Sequence, residues 1–490
     1  MNQLLLAAVL TFTINLGDGL PFKAPKAVGM SASRLEAIDR VIARGIKEGG
    51  YPGAAVVVGR KGAAIWEKGY GTLSWSKGSE KIDPRESVYD LASLTKVIGL
   101  TTAVMILFDE GKIQLDARVN QYLPAFTGGY KDSVTIRQLL THRSGLPAGR
   151  DLWRTATNPQ EARLLVIDAP LACKPGACYI YSDLGADVLG MVVETVSGKG
   201  LDGFLDERVF TPLAMNDTYF RPADSLKARI APTEVMPPRG YPLKGEVHDE
   251  NAYALGGVAG HAGLFSTVGD LGVFAQMMLN GGVYEGVRIV SDSAVALFTA
   301  RAVGTRALGW DTADGDGGAG RYLTGRAYGH TGYTGTSLWI DPDREMFVIL
   351  LTNRVHAARA RRPATVISDV RADLADAAVL AVIDGPDGVL AMPASFRSDK
   401  AVGWNRVVPA RRSAKRPSST RSKAASSART AKAAPAKKPP AAPATKAIST
   451  SVKTPAPAAA KPPSAKPGTP AKPPAGAPKP ATKPNVSGDE

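Results

Sequence analysis

Ser93-Leu94-Thr95-Lys96 stands directly ahead of an apolar run, Val97 to Phe108. The spacing predicts a helix that begins at the tetrapeptide, with hydroxyl and amine one turn apart on a shared face. The first turn of a helix also leaves backbone N–H groups free to hold negative charge. A nucleophile, a basic partner and anion-holding amides are what acyl transfer requires. A Ser-x-x-Lys match alone is weak, since ordinary residue usage produces about one or two in a chain this long. Ser74 and Lys77 repeat the spacing among Gly69, Gly71 and Gly78, where a loop or hairpin is expected. A serine N-cap followed by a solvated lysine gives the same local pattern as Ser93 and Lys96.

Working outward, Leu35, Ile38, Ile42 and Ile46 recur at helical spacing within Ser33 to Ile46. Ala54 to Val58 and Ala63 to Trp66, joined through Gly59 to Gly62, read as a hairpin. From Leu115 to Val290 the pattern is largely helical, broken by Pro- and Gly-rich loops. Ser337 to Ile340 and Met346 to Thr352 then form a second hairpin about Asp341-Pro342-Asp343-Arg344, and Thr365 to Ile383 a closing helix. This order implies an α+β fold: one antiparallel sheet completed by both ends of the chain, N- and C-terminal helices flanking it, and an inserted helical subdomain. The cleft between sheet and insert is the default active site.

Composition divides the chain of 490 residues near Ser395, where Lys, Ala, Pro and Ser take over and, beyond Trp404, aromatics cease. Residues 395–490 are expected to be a disordered basic tail, because such a segment buries too little apolar surface to offset its chain entropy. Residues 411–490 hold 17 of the 60 basic residues and two of the 45 acidic ones, so residues 1–410 carry 43 of each. The net charge of +15 therefore belongs to the tail and says nothing about the site. A polycationic tail associates with anionic wall polymer, lipid or nucleic acid, or serves only as a solvated spacer.

Leu4 to Leu16 has the length of a signal-peptide core, which makes residues 1–20 a candidate signal peptide and residues 21–394 the folded domain. The localisation expected is periplasmic or secreted, otherwise cytoplasmic, although no Lys or Arg precedes the stretch and its cleavage site is poor. No transmembrane helix is expected. Cys173 and Cys178 enclose a turn-forming insert and are a candidate disulfide or two inert thiols. The five histidines are scattered and Cys-x-x-Cys pairs are lacking, so neither a metal nor a cofactor is expected.

Two more clusters suit Ser93: Tyr181-Ser182-Asp183, after a Pro-Gly loop and before an apolar helix, and His330-Thr331-Gly332, just before the second hairpin. In the order Ser-x-x-Lys, Tyr-x-Asp, His-Thr-Gly, the three resemble the signature of the penicillin-recognising serine hydrolases, in the class C β-lactamase-like branch. The resemblance covers about residues 25 to 385, including Thr135 to Pro147 and Leu255 to Ser266. It implies a β-lactamase/transpeptidase-like fold, with Ser93 as nucleophile and Lys96 and Tyr181 as the proton-handling pair. It further implies an oxyanion hole from the N–H groups of Ser93 and Tyr333, and substrate-binding roles for Asp183, His330, Thr331 and Gly332.

Two positions depart from the family's pattern. Asp183 replaces the usual Asn, and a carboxylate beside Lys96 favours its charged form, leaving Tyr181 as general base. His330 replaces the lysine of β-lactamases in this branch, and a histidine of ordinary pKa is mostly neutral at pH 7. A substrate carboxylate is then held less firmly. His142 and His261 lie in the matched stretches and read as hydrogen-bonding structural histidines, and Gly256 to Gly263 as tight turns. The expected activity is hydrolysis of small acyl esters, with D,D-carboxypeptidase or endopeptidase action on cell-wall peptides, and then β-lactam hydrolysis, as alternatives. A reading of another class makes the body a non-catalytic sensor or adaptor whose tail binds an anionic polymer.

Overall fold

The computed structural model describes residues 19–235, 238–314, 317–356 and 364–400. The signal-like stretch Leu4 to Leu16 and the tail from residue 401 onward, with the partners expected for it, lie outside the described residues. Six strands form the large sheet: β1 (Gly53–Arg60), β2 (Ala63–Gly71), β3 (Asp311–Thr312), β4 (Tyr328–Thr331), β5 (Ser337–Asp341) and β6 (Met346–Thr352). Their spatial order is β2-β1-β6-β5-β4-β3, and every neighbouring pair is antiparallel. The two ends of the folded body therefore meet at the β1–β6 pairing, where Ala54 faces Thr352 and Arg60 faces Met346.

Strand side chains alternate between two cores, as a period of two demands. Val56, Val58, Val348 and Leu350 face a core built with helices α1 (Ala37–Lys47) and α5 (Ala364–Leu380). Val57, Phe347, Ile349 and Leu351 face the larger core of the helical insert, which includes α2 (Thr102–Asp109), α3 (Asp183–Ser197) and α4 (Val268–Leu279). A sheet buried on both faces explains why β6, Met-Phe-Val-Ile-Leu-Leu-Thr, is buried along its whole length. The turn before it is fixed by Asp341, which is fully buried. Its carboxylate accepts from the amide and hydroxyl of Thr324 and pairs with Arg344 at 3.0 Å.

The packed body is longer than composition implies at both ends. Leu20 is buried against the insert core, and the Tyr284 hydroxyl donates to the Gly19 carbonyl. At the other end Phe396 joins the core beneath α5, and the amides of Arg397 and Ser398 donate to Asp373. A Lys- and Pro-rich continuation masks these few anchoring residues in any window average, so the boundary at Ser395 falls too early. Ala92–Asp109 is long and apolar enough to cross a membrane, but 83% of it is buried in the fold. It is the core element that carries Ser93 and Lys96.

Phe347 joins sheet and insert: its ring occupies the space a Cβ on Gly59 would need and packs beside Gly272. Phe347→Ala is expected to destabilise the protein by about 3 to 5 kcal/mol. Urea unfolding followed by far-UV circular dichroism checks this, and an unchanged midpoint would show that the two layers do not depend on this ring.

Candidate active site

The turn that presents Ser93 is held from both sides. Asp90 pairs with Phe265 in a small sheet, and the Leu91 amide donates to the Leu264 carbonyl at 2.9 Å. Ala92, buried, has a left-handed φ of 47°, a conformation that costs a non-glycine residue about 1 to 3 kcal/mol. The Asp90 carboxylate stabilises it by accepting the Ala92 amide at 2.8 Å on one oxygen. Its other oxygen accepts the His248 amide at 2.7 Å.

The segment from Ala92 to Thr101 departs from the regular α-helix that the spacing predicts. A 3₁₀ turn over Ala92–Leu94 leads into a wide π-helical turn over Lys96–Thr101, and regular α-helix begins only at Thr102. The Thr102 hydroxyl donates to the Val97 carbonyl, five residues back, at 3.0 Å, and so spans the widened turn. Such turns recur at functional sites because they re-aim single side chains.

Lys96 is 3% exposed, and each of its three N–H donors has an acceptor nearby. Nζ lies 3.0 Å from Ser93 Oγ, 3.1 Å from the His261 carbonyl and 2.7 Å from Asp183 Oδ1. It also sits over the Tyr181 ring, 4.9 Å from the centroid. Burial pulls the lysine pKa down, but the Asp183 charge, aided by Tyr181, outweighs it and lifts the value above lysine's ordinary range. Lys96 is therefore an ammonium at neutral pH.

Tyr181 is positioned by the start of α3. The Ser182 hydroxyl caps the helix by accepting the Gly185 amide at 3.0 Å and donates to the Pro147 carbonyl at 2.7 Å. The Ser182 amide donates to His142 Nδ1, and the Asp183 amide to the Ala148 carbonyl. Just before this segment Cys173 and Cys178 are joined by a disulfide, and Gly176 and Ile180 donate to the carbonyls of Arg143 and His142. The Tyr181 ring lies 4.5 Å from the ring of His142, 5.9 Å from that of His330 and 5.3 Å from the Arg306 guanidinium, measured between centres.

The three histidines here hold opposite charge states. His330 Nδ1 donates to the Thr331 carbonyl at 2.8 Å, which leaves Nε2 as an acceptor that is buried without a hydrogen-bond partner among the described residues. Burial, together with Arg306 and Lys96, holds its pKa well below the ordinary value, and the same causes act on His142. His261 is also buried, yet Asp187 at 2.7 Å and Asp249 at 2.9 Å lift its pKa well above the ordinary value. Its imidazole ties these two carboxylates together while its carbonyl faces Lys96.

Gly332 and Tyr333 lie against the Ser93 turn. A Cβ on Gly332 would meet the Leu91 carbonyl at 2.3 Å and the Thr336 hydroxyl at 2.0 Å, so only glycine fits. The hydroxyls of Thr334 and Thr336 donate to the carbonyls of Asp90 and Leu91 at 2.7 and 2.9 Å. Arg371 bridges the carbonyls of Gly332 and Thr336, and Arg354 donates to that of Tyr333. The Tyr333 ring is 46% exposed between His248 and Arg354.

Ser93, Lys96, Tyr181, Asp183, His330, Gly332 and Tyr333 thus converge from three distant stretches, whereas the Thr331 methyl lies beside Gly318 and its carbonyl is taken by His330. Residues with no sequence signal complete the surroundings: Asp90, His248 and Arg306. Arg306 is 6% exposed, pairs with Asp311 at 3.0 Å and donates to the Tyr179 hydroxyl at 3.1 Å.

Residues 38–372 match the family model described as Beta-lactamase. A protein of Escherichia coli K12 described as "Putative D-alanyl-D-alanine carboxypeptidase" is 33% identical over 376 residues, which span 68% of this chain and 85% of that protein. The Bacillus subtilis "N-acetylmuramyl-L-alanine amidase" is 34% identical over 364 residues, 66% of this chain and 82% of its own length. The crystal structure of a class C beta lactamase superposes with a TM-score of 0.58 at 18% identity, covering 70% of this chain and 98% of the other. The match spans the sheet, the insert and all three clusters of candidate residues, and the chain belongs to the beta-lactamase family of serine hydrolases.

Proposed function

We propose that this chain hydrolyses esters or amides through an acyl-enzyme on Ser93, and that its substrates carry no carboxylate where His330 stands. The observation that carries the first half of this proposal is the Lys96 ammonium, hydrogen-bonded to Ser93 Oγ and ion-paired with Asp183. A lysine held charged cannot take the serine proton. Tyr181, over whose ring Lys96 sits, is then the base. As Ser93 Oγ bonds to the substrate carbonyl carbon, its proton passes to Tyr181, acting as general base beside the Lys96 ammonium. The N–H groups of Ser93 and Tyr333 hold the oxyanion, and Tyr181 returns the proton to the leaving oxygen or nitrogen. Water then attacks the ester by the same route and frees Ser93.

The substrate class rests on charge. His330, neutral and buried, stands where β-lactamases of this branch place lysine, and Arg306 is already paired with Asp311. An uncharged neighbour to the scissile bond suits this arrangement, which supports esters and internal amides. Action on the D-alanyl-D-alanine terminus is a second reading, favoured by the identity with the E. coli protein. The Cys173–Cys178 disulfide supports a periplasmic or secreted location, where such bonds persist.

Comparing turnover of a p-nitrophenyl ester, an N-acetylmuramyl-L-alanine amide, a D-Ala-D-Ala peptide and nitrocefin tests the reading. The first two are expected to be hydrolysed with the higher kcat/KM. Ser93→Ala should lower each rate by at least about a thousandfold, and rates that survive the substitution would refute the nucleophile. His330→Lys should raise kcat/KM for the carboxylate-bearing substrates about tenfold relative to the ester, the scale of one added charged hydrogen bond. An equal change on all substrates would count against the charge argument.

The ammonium state of Lys96 has its own check. By NMR of labelled lysine, Lys96 should remain protonated through neutral pH, because a raised pKa postpones loss of the proton to more alkaline solution. Asp183→Asn removes the charge that raises it, so the pKa should fall by about one to three units. A wild-type value below 7 would make Lys96 the base and overturn the assignment to Tyr181.

A further inference from the structure

Apart from the residues around Ser93, the helical insert carries an open cleft of about 590 Å³. That lies within the ~300 to 1,000 Å³ typical of small-molecule sites. Trp153, Pro159, Arg221, Lys227, Glu246 and Tyr253 form its walls, and Gly256 and Gly257 border it. The two glycines have φ of 91° and 83°, so the turn they make admits no larger residue without strain.

The charges in these walls are already answered. Arg221 is bonded to Asp202, Lys227 pairs with Asp224 at 2.8 Å, and Glu246 lies 3.5 Å from Arg239. An ionic ligand would compete with these pairs. An apolar ligand would strip water from all of them without replacing its hydrogen bonds. A neutral molecule rich in hydroxyl and amide groups does neither. Guanidinium groups lie near the rings of Trp153 (Arg154, 4.5 Å) and Tyr253 (Arg239, 4.6 Å), so each ring keeps one face for a ligand. Aromatic surface among paired charges suits the apolar C–H face and polar edge of a sugar ring. We infer that this cavity binds a neutral saccharide.

Its placement ties it to the reactive centre. Val247 lines the cavity, while the next residue, His248, donates to Asp90 and stacks on Tyr333. Phe265, on another wall, pairs in the small sheet with Asp90. The saccharide is either a portion of the molecule whose carbonyl meets Ser93 or a separate ligand bound beside it. Sugar binding rests on the cavity alone and stands or falls independently of the bond that Ser93 attacks.

The test is calorimetric titration of the full chain with the β-1,4-linked trimer of N-acetylglucosamine, a neutral probe. Saturable binding is expected. Trp153→Ala and Tyr253→Ala should each weaken it about tenfold, the scale of losing one aromatic partner, while Trp153→Phe should retain most of it. Melting temperatures establish that the variants fold. A flat titration, or unchanged affinity in both alanine variants, would overturn the inference. Repeating ester hydrolysis with the trimer at saturation separates the two sources. Competitive inhibition assigns the sugar to the substrate, and binding without competition assigns it to a separate glycan.

Discussion

An ammonium removed from water must find acceptors or lose its charge, and Lys96 finds three, drawn from Ser93, Asp183 and the His261 carbonyl. The desolvation cost of a buried ion is several kcal/mol, and good geometry with complete hydrogen bonding is what offsets it. Each acceptor comes from a different segment: the turn after the small sheet, the start of α3, and the glycine-rich stretch before α4. Moving any one of them away would leave a buried charge incompletely satisfied. The same constraint that places Lys96 beside Ser93 therefore holds three segments of the insert in register.

A second buried polar side chain does comparable work on the backbone. The Asp90 carboxylate accepts the amide of strained Ala92 on one oxygen and that of His248 on the other. The carbonyls of Asp90 and Leu91 accept the hydroxyls of Thr334 and Thr336. Through these bonds the end of β4, the Ser93 turn and the loop carrying His248 share one anchor. The two amides proposed for the oxyanion hole belong to Ser93 and Tyr333, and both backbones are positioned relative to this anchor. Preorganisation of this kind matters because donors that need not reorganise during reaction lower the barrier most.

The sequence reveals these features unevenly, for physical reasons. The hairpins are legible because period-two patterns and turn residues are local, and the Ser93 to Lys96 pair because one turn of helix is local as well. The family resemblance supplies Tyr181 and His330, which spacing cannot join across 88 and 149 residues. The π-helical turn is not legible, since it comes after a buried Ala92 whose left-handed conformation depends on Asp90 and hence on an amide 158 residues away. Arg306 is equally hidden: one of 60 basic residues, it is set apart only by burial beside Tyr179, Tyr181 and Asp311. Likewise Phe396 cannot be separated from the composition of the tail beyond it.

The charge states of the site are decided by which buried groups have a carboxylate within reach. Lys96 has Asp183, Arg306 has Asp311, and His261 has both Asp187 and Asp249. His142 and His330 face the cations Lys96 and Arg306, and although Asp311 lies 3.9 Å from His330 Nε2 it is paired with Arg306, so burial settles both rings as neutral. Each cation near Tyr181 thus carries its own counter-ion inside the protein. Such an arrangement presents an incoming substrate with oriented hydrogen-bond donors and dipoles in preference to an open positive charge. Rate acceleration then depends on stabilising charge that develops during reaction, at the oxyanion, more than on attracting charge the substrate already bears. In the proposed function that distinction separates neutral esters and amides from substrates held by a carboxylate, and it originates in two side chains, Asp183 and His330.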